Sequence, residues 1–244
     1  SFPTRRSSDL PCFILLCSIL DAAPPHKNQL HLKDNLKLAQ SGDYVVSKQE
    51  KNLTLLHVIE NTPQKLLIEE ITIPEKSVKA EHEWKKWVQE GSIGQTCHVR
   101  YQLDPQTGTI THYYFLTNEG WKQTSAENHL FSQLLNLPFT PQPEHLRKKR
   151  GSISARNPNP YWQPKLVFEG KIIEGENLSS WQTQWPQDGS DLSGKTLLIY
   201  IADKDSPCPS YFPYWIEAKG KVTRASMHLI DSGKGLAPIQ STKF

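Results

Sequence analysis

Alternation of apolar and polar residues with a period of two is the feature that most constrains this chain. It is clearest in Cys97–Leu103 and Thr109–Leu116, two alternating runs joined by Asp104-Pro105-Gln106-Thr107-Gly108. Successive side chains of a strand point to opposite faces, so such runs predict half-buried strands. A proline early in the connection and a glycine at its end suit a tight turn. The pair therefore predicts an antiparallel hairpin.

Further strands surround this hairpin in an order that does not suit a parallel sheet. The predicted strands are Asp43–Lys48, Asn52–Glu60, Lys65–Ile73, Lys165–Ile173, Lys195–Ala202, Pro213–Lys219 and Val222–Ile230. They follow one another in runs, whereas parallel sheets alternate strands with helices. The sequence therefore predicts an α+β protein with a mainly antiparallel β-sheet, either open or curved into a half-barrel, and two to three amphipathic helices.

Three segments have the spacing of amphipathic helices. The first is Lys27–Ala39, the second is followed by Gly91, which is well placed to end it, and the third opens with the capping box Thr124 and Glu127. The apolar positions of the second helix are Ala80, Trp84, Trp87 and Val88, and those of the third are Leu130, Phe131, Leu134 and Leu135. Each helix is expected to cover one face of the sheet, because its apolar stripe must be buried.

Composition divides the chain into four segments. Residues 1–25 combine an adapter-like stretch with a signal peptide, and 26–137 form a β-rich domain with helices. Residues 138–164 are a proline-rich loop that contains the basic run Arg147–Arg150, and 165–244 are a C-terminal β segment that completes the same domain. The loop has little apolar periodicity, which is typical of a surface connection or a linker.

The apolar run Pro11–Leu20, followed by Ala22 and Ala23, is typical of a secretory signal peptide. It is too short to span a bilayer, and no later segment is apolar enough to do so. The alternative is that the run is a buried element of the mature fold. The formal net charge of +3 does not favour nucleic-acid binding, because basic residues are largely balanced by acidic ones. We expect a periplasmic or secreted protein with no nucleic-acid partner and no integral membrane span.

Residues Gly189–Thr196 match the phosphate-loop pattern, but their surroundings argue against nucleotide binding. The motif requires a preceding buried strand and a following helix whose N-terminus receives the phosphates. Here Trp185–Asp188 precede it, and Leu197–Ile201 follow it with a β-type composition. We interpret the segment as a turn leading into a strand and expect no nucleotide partner.

No catalytic or metal-binding pattern is recognisable, and we expect no cofactor. The nine histidines include no zinc-type pair on a helix. His98 and His112 lie on the two arms of the predicted hairpin, where solvated polar residues are more common than a metal site. Cys97 and His98 are adjacent, so on a strand they point to opposite faces and do not form a catalytic pair. The catalytic residues, if any, are unknown from the sequence.

Aromatic residues are concentrated in the C-terminal half, often beside proline. Exposed together, they would form a platform for a sugar, a lipid or a peptide; buried, they would be ordinary core material, which is the more common outcome. The ligand-binding candidates are Trp84, Trp87, Tyr214 and Trp215. If the helix that carries Trp84 and Trp87 acts as a lid, these side chains line the mouth of an apolar pocket; if it seals the sheet, there is no cavity.

The order of elements is similar to that of bacterial lipoprotein-carrier half-barrels, in which a curved sheet covered by helices holds acyl chains. The resemblance concerns architecture alone and transfers no residues. It favours an exported, non-catalytic binding or envelope-interaction protein with an apolar or amphiphilic ligand, and a lipid, sugar or protein partner in the cell envelope. An envelope hydrolase with an unidentified site and a structural protein-interaction module remain open as alternatives.

The export hypothesis predicts where the mature chain begins. If Pro11–Leu20 is removed with a signal peptide, protein recovered from cells should begin near Ala23 or Pro24, which N-terminal sequencing will determine. Soluble protein that still carries Leu15 would contradict the hypothesis.

Overall fold

The computed structural model describes most of the chain beyond its N-terminal segment. The described residues are 29–78, 82–124, 130–151, 159–174 and 176–238. The predicted signal peptide, the start of the first predicted helix and the capping-box residue Glu127 lie outside them. Within these ranges no helix is both long and apolar enough to cross a membrane.

β-strands dominate the described residues. They are β1 (Tyr44–Gln49), β2 (Asn52–Thr62), β3 (Lys65–Pro74), β4 (Cys97–Leu103), β5 (Ile110–Thr117), β6 (Gly120–Thr124), β7 (Thr140–Pro141), β8 (Leu166–Phe168), β9 (Lys171–Ile173), β10 (Leu178–Gln184), β11 (Thr196–Ala202), β12 (Trp215–Lys219) and β13 (Arg224–Gly233). The helices are a 3-10 helix, η1 (Leu32–Leu38), and two α-helices, α1 (Trp84–Gln89) and α2 (Leu130–Asn136). Single 3-10 turns occur at Glu75–Ser77 and Glu144–Leu146.

Eleven of these strands form one antiparallel sheet in the order β6-β5-β4-β3-β2-β1-β13-β12-β11-β10-β7, and β8 pairs with β9 separately. The predicted fold class is therefore confirmed. The half-barrel alternative is wrong, because the sheet is neither closed nor strongly curled. A half-barrel keeps one concave face for its ligand, whereas here segments of the same chain pack against both faces.

The face of the sheet that carries Leu55 of β2 and Ile71 of β3 is called the front face below. Helix α1 covers its middle part, where Trp84, Trp87 and Val88 pack against the apolar side chains of β1, β2 and β3. The helix forms where the sequence predicts it, since three apolar side chains at helical spacing need a single apolar surface. Burial of this stripe stabilises a helix too short to persist alone.

The opposite, back face carries the larger part of the core. Its strand residues, such as Ile68 and Val99, share one buried cluster with leucines from η1 and α2 and with Tyr211 and Phe212 from the segment before β12. The ring of Phe131 in α2 lies 5.6 Å from that of Tyr101 in β4. The core is thus continuous across both halves of the sheet, as expected for one domain.

Four strand regions differ from the sequence prediction, among them β7 (Thr140–Pro141), which lies in the segment predicted as a loop. Strand β6 and strand β10 are polar for much of their length, so their alternation is too weak to identify them. The predicted strand Lys165–Ile173 is a hairpin of β8 and β9, in which Glu169 and Gly170 both adopt positive φ. Two residues of positive φ form the type I′ turn that matches the twist of a tight hairpin.

The pairing of β1 with β13 brings Tyr44 opposite Gly233. Tyr44 is almost completely buried, and a Cβ atom built on Gly233 would lie 2.6 Å from three atoms of its side chain. The tyrosine ring therefore packs on the bare backbone of the glycine, an arrangement that no other residue at this position permits.

We predict that Gly233→Ala lowers the free energy of unfolding by about 1–3 kcal/mol, because the methyl group overpacks against the Tyr44 ring. Gly151→Ala is the matched control, since a Cβ atom there meets nothing within 4 Å. Chemical denaturation of both variants tests the prediction, which is contradicted if Gly233→Ala is as stable as the wild type.

Candidate functional site

A cleft lies on the front face over β11, β12 and β13. Its inner part has a volume of about 120 Å³, and its outer part a volume of about 450 Å³. Both parts share the lining residues Gln142, Leu146, Leu198 and Lys219, so they form one continuous depression. The outer volume falls within the range of small-molecule sites.

Three aromatic rings form the floor of the inner cleft. Trp162 meets Tyr200 of β11 edge-on at 5.5 Å and Trp215 of β12 edge-on at 5.2 Å, measured between ring centroids. On its other side Trp215 stacks on His228 of β13 at 5.6 Å. Cross-strand register places Tyr200 opposite Trp215, and Trp215 opposite His228. The strands therefore hold the rings of Tyr200, Trp215 and His228 in a row, and the ring of Trp162 packs against the first two.

One wall of the cleft comes from the proline-rich segment between β7 and β8. Its basic run pairs with the aromatic residues that follow: Arg147 lies 4.1 Å over the ring of Tyr161, and Lys148 lies 5.3 Å over that of Trp162. The backbone N–H of Trp162 donates to the backbone carbonyl of Lys148 at 2.8 Å. The prediction of a surface connection or linker over 138–164 did not include this pairing, in which cation–π contacts hold the segment over the sheet.

Glu217 carries the buried negative charge of the cleft. Its carboxylate is 3% exposed and lies 2.6 Å from Nη2 of Arg224 and 3.0 Å from Nζ of Lys219. Burial alone would raise the pKa of Glu217, but the ion pairs with Arg224 and Lys219 hold it below its ordinary value. The side chains of Arg224 and Lys219 remain 65% and 50% exposed. Two cations are thus fixed at the cleft by an acid beneath them.

The four residues that the sequence analysis put forward as ligand-binding lie in three different settings. Trp215 lines the cleft. Tyr214, its neighbour, is fully buried and donates its hydroxyl to Ser232 Oγ at 3.2 Å. Trp84 and Trp87 lie on the buried side of α1, where each is 7% exposed, and they line neither part of the cleft. In this structure α1 seals the sheet at these tryptophans.

A second polar constellation is buried on the front face, across β2, β3 and β4. Glu69 is fully buried; its Oε1 lies 2.8 Å from His98 Nε2 and 2.9 Å from Arg100 Nε, and its Oε2 lies 3.3 Å from His57 Nδ1. Burial alone would raise the pKa of Glu69, but His57, His98 and Arg100 together hold it well below its ordinary value. The guanidinium of Arg100 lies 4.5 Å from the ring centre of Trp121.

Hydrogen-bond partners fix the orientation of His57. Its Nε2 lies 3.0 Å from the Leu236 carbonyl oxygen, and its Nδ1 lies 3.3 Å from Oε2 of Glu69. Both ring nitrogens therefore have partners inside the protein. None of these residues lines the cleft, so the cluster is best explained as a tie between three neighbouring strands.

Sequence reasoning could have found this cluster. Glu69 alternates in phase with the apolar residues Leu67 and Ile71 of the same strand, and His57 with Leu55. A charged residue in phase with a buried face must be paired, which is a signal for a buried ion pair. By contrast, the cross-strand approach of Arg224 to Glu217 depends on hairpin register and has no local signal.

The remaining sequence motifs have simple structural settings. Residues 189–194 of the phosphate-loop match form bends and turns that lead into β11, as predicted, and no helix follows them. The absence of a nucleotide partner stays a prediction.

Cys97 and Cys208 are free thiols. Cys97 is exposed and Cys208 is buried. In the described part of the chain, no three His, Cys, Asp or Glu side chains are grouped to hold a metal ion.

We predict that Glu69→Gln lowers the free energy of unfolding by about 3–5 kcal/mol, because it removes the counter-charge of the buried Arg100 guanidinium. The pKa of Glu69 is depressed in the folded state, so its stabilisation is present above the ordinary glutamate pKa of about 4.3 and is lost as the pH falls. Denaturation between pH 7 and pH 3 should therefore show a smaller loss of stability in the variant than in the wild type.

Glu75→Gln is the matched control, because Glu75 pairs with Lys48 but is 46% exposed. An exposed pair contributes at most about 1 kcal/mol, so this variant should stay close to the wild type. Equal stability losses in the two variants would contradict the role given to Glu69.

Comparison with known proteins gives one family. The family model described as CT021 protein matches residues 54–174, just under half of the 244-residue chain. Among curated proteins, none matches this chain. A 2.0 Å resolution structure of the hypothetical protein CT021 from Chlamydia trachomatis aligns with a TM-score of 0.63 and 21% sequence identity, over 88% of this chain and 99% of that one. The chain is therefore similar to the CT021 family in sequence over residues 54–174, and it shares the CT021 fold over most of its length.

Proposed function

We propose that this chain is an exported, non-catalytic binding protein and that it holds an amphiphilic ligand in the cleft on the front face. The observation that carries the proposal is the cluster of rings of Trp162, Tyr200 and Trp215 on the floor of a continuous depression. Aromatic side chains offer apolar area at low cost in conformational entropy, which is why they are frequent in binding sites.

The placement of the rings favours a ligand over a purely structural role. Trp162 comes from a connecting segment and remains partly exposed, although a fully packed core would bury it. Leu146, beside it, is 53% exposed. An apolar floor with polar and charged residues around it suits a molecule that has both an apolar and a polar part. Titratable groups suited to acid–base chemistry do not converge there, since Glu217 is held in ion pairs.

Export is supported by the apolar run Pro11–Leu20 and the small residues that follow it. A periplasmic or secreted location would bring the cleft into contact with amphiphiles of the cell envelope. The seal formed by α1 separates this proposal from a carrier that stores acyl chains beneath a lid, because Trp84 and Trp87 already fill that place.

We predict that a dodecyl amphiphile, added below its micelle-forming concentration, binds with a saturable change in tryptophan fluorescence or heat. Trp162→Ala should weaken this binding about tenfold or more, because removal of a large ring forfeits about 1.5–3 kcal/mol of buried apolar contact. Calorimetric titration with dodecyl maltoside and dodecyl phosphate measures the effect.

Trp84→Phe is the control that separates the two sites. It alters the pair of tryptophans on the buried side of α1 and leaves the cleft intact, so the affinity for the dodecyl amphiphiles should be unchanged. If Trp84→Phe abolishes binding while Trp162→Ala does not, the ligand lies under α1 and the cleft is the wrong site. If neither amphiphile binds the wild type, the proposed function is wrong.

A further inference from the structure

Charge is distributed unevenly around the cleft. Four cationic side chains line its two parts, Lys148, Lys219, Lys221 and Arg224, against the single acid Glu217. Glu217 is itself neutralised by two of the four. A net positive charge remains at the mouth of a depression whose floor is aromatic, and such a field attracts an anion.

The ion pairs of Glu217 leave donor capacity unused. A guanidinium has five N–H donors and an ammonium has three. Arg224 donates one hydrogen bond to Glu217, at 2.6 Å, and the exposure of its side chain leaves the other donors open to solvent. Lys219 lies opposite Arg224 in the β12–β13 hairpin, so strand register sets the spacing of the two cations. Such pre-positioned donors bind carboxylates and phosphates well, because they lose little conformational entropy when the anion binds.

We propose that the ligand of the cleft is an acidic amphiphile, with a phosphate or carboxylate group held by Lys219, Lys221 and Arg224 and an apolar part on the rings of Trp162 and Trp215. This inference rests on the proposed binding function and adds the chemical class of the ligand. Glu217 acts as a positioning residue, because it fixes two of the cations from below and does not touch the ligand.

Three dodecyl compounds that differ in head-group charge test the inference: dodecyl phosphate, dodecyl maltoside and dodecyltrimethylammonium. Calorimetric titration of the full chain, below each micelle-forming concentration, should give dodecyl phosphate the highest affinity and dodecyltrimethylammonium the lowest. The preference should decrease with added salt, because exposed charges are screened.

Single substitutions then locate the acidic group. Arg224→Gln and Lys219→Gln should each weaken dodecyl phosphate binding about tenfold, as expected for the loss of one charged hydrogen bond, and should weaken dodecyl maltoside binding much less. Lys221→Gln leaves both ion pairs of Glu217 intact. It should also reduce the preference for dodecyl phosphate over dodecyl maltoside. Lys51→Gln removes an exposed lysine outside the cleft and should change neither affinity.

The outcomes separate the two proposals. Equal affinity for the three compounds, or unchanged phosphate binding in all three cleft variants, overturns the acidic class and leaves the binding function standing. Failure of the wild type to bind any of the compounds overturns both proposals. Phosphate selectivity that falls in the cleft variants and persists in Lys51→Gln supports both.

Discussion

The pairing of β1 with β13 is the contact on which the rest of the architecture depends. It joins a consecutive meander, β1 to β6, to the C-terminal strands, and thereby makes one sheet of eleven strands. Because its partners come from opposite ends of the described chain, the pairing closes a very long loop, and contacts of this kind form late and slowly. The packing of Tyr44 on Gly233 lies in this pairing and contributes to its stability.

The cleft lies within the C-terminal half of the sheet. Tyr200, Trp215 and Arg224 of its lining belong to β11, β12 and β13, whereas Lys148 and Trp162 belong to the segment between β7 and β8. The matched family range contains that segment but ends before β11. The prolines that make the segment unsuitable for regular strands also let it lie across the sheet, where cation–π contacts hold it in place.

Much of the fold follows from the sequence because period-two alternation and turn residues are local properties. The Cys97–Leu116 hairpin, helix α1 and most strands are found where the pattern puts them. Polar strands such as β10 are recognised through their partners, and the turn at Glu169-Gly170 depends on backbone conformation more than on composition. The candidate site is less predictable, since Trp215 stands out as an aromatic residue but the approach of Arg224 to Glu217 requires the register of the hairpin.

Two buried glutamates show how the same chemistry serves stability at one place and recognition at another. Glu69 is surrounded by His57, His98 and Arg100, which are themselves almost completely buried, so their charges are used within the protein. Glu217 is equally buried, but its partners Lys219 and Arg224 extend into solvent. A buried charge needs compensation in both cases, because an unpaired one is very costly. Only the second arrangement leaves the compensating cations accessible. Exposure of the partners, more than the presence of a buried acid, therefore distinguishes a site that can recognise an anion from one that ties strands together.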